Sequence, residues 1–208
     1  MKKTLSLLAL FVLGWSTIPS GSASSLASGS ILLAAQSASP VARRATTPTS
    51  PSPSGRISQR FKILLLQGAN LSYLGRREPE LYGTTSASEL DSMLRAYAEK
   101  RGYDLEIFYT HIEGEAIARL YRAVDEHFDG VVMNPGGFTY AGYALRDCLR
   151  ALPFPYVEVH MTNLDKRGIR SVIAEVAVGV VSGFGPKSYI LGFDAMLNHL
   201  SGSREQRR

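Results

Sequence analysis

Tyr82, Arg77, His160 and Glu158 are the residues of this 208-residue chain whose types and spacing could do chemistry together. Tyr82 follows Arg76 and Arg77 in GRREPELYGTT (75–85), a segment too polar for a core and too particular in its residues for a spacer. A phenol, with an ordinary pKa of ~10, is a poor base near neutrality. Guanidinium groups beside it favour the phenolate, and Arg77 is placed in sequence to supply one. His160 ends the stretch PYVEVH (155–160), two residues after Glu158. An imidazole oriented by a carboxylate makes a general acid. Asn70, Asn134 and the pair Gly136–Gly137 of NPGGFTY bring amides and a backbone that a ligand can approach closely. Arg167 and Arg170 bring positive charge for an anionic ligand. Base, acid, amide donors and arginines suit removal of a proton next to a carbonyl, followed by loss of a leaving group.

Each residue also has a plainer role. Tyr82 could be a hinge packed by its ring, His160 a satisfied histidine at a strand end, the glycine pair a tight turn, and the arginines solvated charge. His111, His127 and His199 have no sequence neighbours that point to a role. No His/Cys/carboxylate spacing marks a metal site. GFGP (183–186) is not a dinucleotide-binding loop and no phosphate-binding loop is present, so neither metal nor cofactor is expected.

The elements that would position these groups follow from periodicity. KILLLQ (62–67) and GVVMN (130–134) are short apolar runs of the kind that form strands covered on both faces. YDLEIFYT alternates like a strand, PYVEVH is a fourth strand, and VAVGVVSGFG contains a fifth. Between them, Ser86-x-x-Glu89 is a capping box opening a helix with Leu90, Met93, Leu94 and Tyr97 on one side, ended by Gly102. Helices are also expected over EGEAIARLYRAVDEHF, over YAGYALRDCLRAL as far as Pro153, and after Pro186. Strand–helix alternation at this spacing predicts an α/β, flavodoxin-like, doubly wound five-stranded parallel sheet with helices on both faces. Ligands of such sheets bind outside the carboxyl ends of the strands, where the residues above fall.

The rest of the chain is organised around that domain, residues 61–201. Lys2 and Lys3, the apolar run Leu5–Leu13 and the small residues up to SGSASS describe a leader with cleavage after Ala23, so the protein is expected to be exported, periplasmic or secreted. The apolar run is shorter than the ~20 residues of a membrane span, and no stable membrane insertion is expected after cleavage. Residues 24–60, rich in Ser, Thr and Pro, read as a disordered linker and 202–208 as a basic tail. The net charge of +5 falls to +3 once Lys2 and Lys3 are set aside, and several arginines lie in the linker and tail. That distribution argues against a nucleic-acid groove. With Cys148 as its one cysteine the chain has no internal disulfide, and a domain of this size needs none.

Three blocks carry a resemblance. QGANLSYLGRREPELYG, NPGGFTYAGYALRD and VEVHMTN resemble the signature blocks of the type II 3-dehydroquinate dehydratases, in that family's order and spacing, over about residues 61–200. The resemblance implies a flavodoxin-like fold and a homododecamer built as a tetramer of trimers. It implies metal-free dehydration of 3-dehydroquinate to 3-dehydroshikimate by anti elimination through an enolate. Tyr82 would remove the C2 proton with Arg77 favouring its phenolate, Asn70 would hold the water that stabilises the enolate, and His160, oriented by Glu158, would protonate the departing hydroxyl. Asn134, Gly136 and Tyr140 would meet the ring, while Met161 and Thr162 would take the carboxylate. Arg167 and Arg170 would add charge, and Asp147 would reach a neighbouring subunit's site.

Departures from the family pattern fall on substrate grip. QGANL and NPGG stand where NGPNL and NAGG are usual, Tyr140 stands where a histidine is usual, and the segment after His160 is about three residues shorter. An exported enzyme of this kind fits quinate breakdown better than biosynthesis. The alternatives are a secreted binding protein that kept the fold without turnover, and a lyase for a related cyclic hydroxy-ketone acid.

Overall fold

The computed structural model describes residues 60–206. The expected leader and the expected linker before Arg60 lie outside the described residues. Strand β1 (Lys62–Ala69) is buried continuously from Ile63 to Gly68. Ile63 and Leu65 enter the core on one face of the sheet, and Leu64 and Leu66 the core on the other. With β2 (Asp104–Tyr109), β3 (Gly130–Gly136), β4 (Tyr156–His160) and β5 (Gly179–Ser182), it forms a five-stranded parallel sheet in the order β2-β1-β3-β4-β5. The chain leaves β1 toward β2 and then crosses back to β3 on β1's other side. That reversal opens a crevice at the carboxyl ends of β1 and β3.

Helices cover both faces, as the sequence predicts. After the four-residue α1 (Pro79–Tyr82), α2 (Ala87–Arg101) and α5 (Lys187–Gln206) pack over Ile63, Leu65, Val157 and Val159. Helices α3 (Glu113–Asp125) and α4 (Tyr143–Ala151) pack over Leu64, Leu66, Val131 and Met133. Truncating a core leucine such as Leu64 to alanine costs about 2–5 kcal/mol. The capping box is present: Ser86 Oγ accepts from Glu89 N at 3.2 Å and Glu89 Oε2 accepts from Ser86 N at 2.8 Å. Gly102 closes α2 in the left-handed region.

Three expectations are corrected. The buried face of α2 is Leu90, Leu94 and Ala98, and Met93 is exposed, because it lies about 100° around the helix from the centre of that stripe. Residues 202–206, expected as tail, continue α5: Ser203 Oγ donates to His199 O, and the Arg204 guanidinium lies 3.7 Å from the Phe61 ring centre. Arg60, expected at the end of the linker, is held by Glu99, Asp104 and the Tyr103 carbonyl.

Candidate active site

Two backbone features shape the floor of the crevice. Asn70, just past β1, sits at φ 78°, and Gly136, at the end of β3, at φ 53°. Ala69 and Gly136 are neighbours across the strands, and a Cβ on Gly136 would lie 2.2 Å from Ala69 O, so only glycine lets the two backbones approach so closely there. Asn134 is paired with Gln67 in the same register. Its Oδ1 accepts from Gly136 N at 3.2 Å and its Nδ2 donates to Tyr189 Oη at 2.8 Å. Tyr189, reaching across from α5, donates in turn to Gln67 Oε1 at 2.9 Å. Burial pushes the Tyr189 phenol up, which keeps its proton on as the donor in this chain.

The segment between β1 and α2 forms a lid. A 3₁₀ turn (Leu71–Tyr73) leads to the exposed Arg76 and Arg77. Pro79, pre-set for a helix start, opens α1, which ends on Tyr82. The sequence gives this stretch as a loop; the single helical turn aims Tyr82 into a cavity of about 220 Å³. The Arg77 guanidinium lies 5.6 Å from the Tyr82 ring centre while its Nε pairs with Glu78 Oε2 at 2.9 Å. A second guanidinium, Arg167, also lies 5.6 Å from that centre, and its Nη1 donates to Tyr82 Oη at 3.1 Å and to Thr162 Oγ1 at 2.9 Å. The cation that touches the phenol oxygen is therefore Arg167, which sequence reasoning placed only with substrate charge. Arg76 does not line the cavity.

The opposite wall comes from β4. Tyr156, Glu158 and His160 alternate along the strand and share one face. Glu158 is fully buried and His160 only 5% exposed. Glu158 Oε1 lies 2.5 Å from His160 Nε2, and Oε2 accepts from Tyr156 Oη at 2.7 Å. Burial, with the Glu158 charge beside it, pushes the Tyr156 phenol well above its ordinary range, so Tyr156 stays a donor. With Nε2 committed to Glu158, His160 has Nδ1 as its remaining ring nitrogen, and its side chain lines the cavity. Glu158 stands behind it.

Asn70, Asn134, Gly136, Tyr140, Met161 and Thr162 all line the cavity. Tyr140 is 59% exposed at the end of a 3₁₀ turn (Gly137–Tyr140), while Thr139 beside it is buried. Three expected residues, Glu158 behind His160, Arg170 and Asp147, do not line the cavity of their own chain. The chain turns at Gly168 (φ 64°), so that Ile169 faces the cavity and Arg170 is exposed on a separate groove beside β5. Asp147 is exposed on α4 and does not line the cavity of its own chain. Leu71, Leu74, Leu164 and Ile169 form an apolar wall that was not expected. Nor were the supports Gln67, Tyr156 and Tyr189. Among the described residues no cluster of three or more His, Cys, Asp or Glu could hold a metal ion, and no helix is long and apolar enough to cross a membrane.

The family model "Dehydroquinase class II" matches residues 61–197. A 3-dehydroquinate dehydratase of Thioalkalivibrio sulfidiphilus is 41% identical over 140 residues, covering 66% of this chain and 95% of that protein. One from Thermus thermophilus is 46% identical over 132 residues, covering 62% and 89%. The crystal structure of a type II dehydroquinase from Butyrivibrio crossotus is similar with a TM-score of 0.64 and 34% identity, covering 66% of this chain and 97% of that one. Over the span that the family model matches, the Tyr82 phenol of the lid and a buried imidazole backed by the Glu158 carboxylate meet at one cavity, and the chain belongs to the class II dehydroquinase family.

Proposed function

We propose that this chain dehydrates 3-dehydroquinate to 3-dehydroshikimate, with Tyr82 as base and His160 as acid. The observation that carries the reading is the Arg167–Tyr82 contact on one side of a cavity whose other side presents His160 backed by Glu158. Tyr82, as phenolate, takes the C2 proton, and the electron pair moves onto the neighbouring carbonyl as an enolate. Collapse of the enolate expels the C1 hydroxyl, which leaves as water with the proton delivered by His160. Arg167 lies beside the oxygen that is anionic before proton transfer, where a guanidinium donor makes its strongest hydrogen bond, and Arg77 adds positive charge near the ring. Asn70 holds the water that meets the enolate oxygen; Asn134, Gly136 and Tyr140 meet the ring; Met161 and Thr162 take the carboxylate. The apolar wall and the lid exclude bulk water from the enolate.

The leader of residues 1–23 supports export, and with it a role in quinate breakdown outside the cytoplasm. The family resemblance supports a homododecamer, a tetramer of trimers, in which Asp147 serves a neighbouring subunit's cavity. A cleaved N-terminus recovered from the extracytoplasmic fraction and the mass in light scattering test these two points.

The test of the reaction is 3-dehydroquinate offered to the purified protein without added metal, with ultraviolet absorbance following the conjugated enone. Turnover that vanishes in Tyr82→Phe establishes reaction and base together. A folded protein without turnover removes the dehydratase reading. The exposed phenol of Tyr140 at the cavity favours one second reading, a lyase for a related cyclic hydroxy-ketone acid, and faster turnover of such an analogue would select it.

A further inference from the structure

His111 lies outside the catalytic set, just past β2, yet its ring bridges two points of the lid's root. Asn70 N donates to His111 Nδ1 at 3.0 Å, and His111 Nε2 lies 3.0 Å from Ser72 Oγ. A backbone amide can only donate, so Nδ1 is the bare nitrogen; in the neutral ring Nε2 carries the hydrogen and donates to Ser72. We propose that His111 is a positioning residue for the reaction, a latch that fixes the first turn of the lid bearing Arg77 and Tyr82.

The conformation held there needs holding. Asn70 sits at φ 78°, a region that residues other than glycine enter at a cost. From Asn70 the lid is built in two hydrogen-bonded steps. Asn70 O accepts from Tyr73 N at 3.2 Å, and Tyr73 O accepts from Arg76 N and Arg77 N at 3.2 and 3.1 Å. A shift of Asn70 is thereby passed to Arg77, and through Glu78, whose carbonyl accepts from Tyr82 N at 3.0 Å, to the base. The post itself is fixed to the sheet. Thr110 N donates to Gln67 O at 3.0 Å, and Thr110 Oγ1 accepts from Ile112 N at 3.0 Å and bonds Glu115. The ring thus spans from a rigid strand end to a segment whose φ angles at Asn70 and Glu78 (41°) show strain.

The kinetic side of this inference rests on the dehydratase reading, and the test therefore has a second readout that needs no turnover. In the full-length protein, His111→Asn puts an amide oxygen where Nδ1 stands and keeps the Asn70 bond. His111→Gln reaches the Nε2 position and loses that bond, and His111→Ala loses both. The expected result is a kcat lower by about 5- to 20-fold in the Ala and Gln variants, the KM within about 2-fold, and near-complete recovery in the Asn variant. Limited trypsin digestion without substrate is expected to cut after Arg76 and Arg77 several times faster in Ala and Gln than in wild type or Asn, with cleavage elsewhere unchanged. Equal kcat and equal lid cleavage across the set overturn the proposal, as does a kinetic loss without faster lid cleavage or a Gln variant better than Asn. If the Ala variant fails to fold, the Asn and Gln pair decides by the same outcomes. If wild type has no turnover, the dehydratase reading fails while the digestion pattern still decides the latch.

Discussion

Arg167 Nη1 donates to Tyr82 Oη at 3.1 Å across 85 residues of sequence, and the same nitrogen reaches Thr162 Oγ1 at 2.9 Å. One guanidinium thereby ties the lid to the loop after β4, where Thr162 stands. It fixes the position of the base and places positive charge on its oxygen, two effects that Arg77, at 5.6 Å over the ring and paired with Glu78, does not combine.

Removing that tie should cost more than removing an ordinary surface charge. A charge-assisted hydrogen bond is worth about 1.5–3 kcal/mol, so Arg167→Ala is expected to lower kcat/KM by about 10- to 150-fold with little change in melting temperature. Arg167→Lys keeps the charge without the planar fork and should fall between. Thr162→Val, which leaves the Tyr82 contact, should lose less than Arg167→Ala. Steady-state kinetics on the three variants checks the order; an Arg167→Ala enzyme as fast as wild type would remove Arg167 from the base's surroundings.

Glu158 is buried between a donor on each side, Tyr156 Oη and the His160 ring. Glu158→Gln keeps the shape but leaves a neutral amide behind the imidazole, and kcat is expected to fall by about 10- to 100-fold while the fold survives. Glu158→Ala strands two buried polar groups and should destabilise the protein by about 3 kcal/mol. Kinetics and thermal unfolding measured side by side separate the two effects. An unchanged kcat in the Gln variant would show that His160 needs no carboxylate.

How much of this was legible beforehand varies with the physical origin of each feature. The sheet was, because buried parallel strands such as Ile63–Leu66 and Val131–Met133 read as unbroken apolar runs. So was the α2 start, because Ser86 and Glu89 satisfy each other's backbone amides locally. The face of α2 was less so: Met93 is as apolar as Leu94, and only packing decides which one turns inward. At the site, Tyr82, His160 and Glu158 were found by type and strand-end position. Arg167 as the partner of Tyr82, and His111 as the partner of Asn70, were not. Both contacts join segments distant in sequence, and nothing local distinguishes these side chains from solvated ones. Arg170 was assigned with Arg167, but the left-handed turn at Gly168 sends it elsewhere.

Tyr189 illustrates a support that sequence cannot show. It accepts from Asn134 Nδ2 and donates to Gln67 Oε1, and among the described residues Gln67 Nε2 already lacks a partner. Tyr189→Phe would strand two more buried polar atoms and is expected to cost about 1–3 kcal/mol in chemical denaturation. Freed from its partner, Asn134 would lose its fixed orientation at the cavity, so KM should rise about 3- to 10-fold. A stability loss with an unchanged KM would confine Tyr189 to folding.

Asp91 offers a charge whose pH dependence can be read with its sign. It lies on α2, where its Oδ1 accepts from Tyr109 Oη at 2.8 Å. Burial raises its pKa above the ordinary carboxylate value, and the Tyr109 hydrogen bond and the charge of Arg95 offset part of that rise. The folded state therefore binds this proton more tightly than the unfolded chain does. Relative to a neutral group, Asp91 costs nothing below its unfolded value of ~3.9 and becomes a penalty as the pH rises through its folded value. Asp91→Asn keeps an oxygen acceptor for Tyr109 and removes the buried charge. Its melting temperature is expected to exceed wild type at pH 7, by a gain below about 1 kcal/mol because the carboxylate is still partly in water. The difference should shrink on acidification and vanish below about pH 4. Thermal unfolding of both proteins from pH 3.5 to 8 checks this, and an Asn variant less stable at pH 7 would mean that the hydrogen bond to a charged acceptor outweighs the cost of its burial.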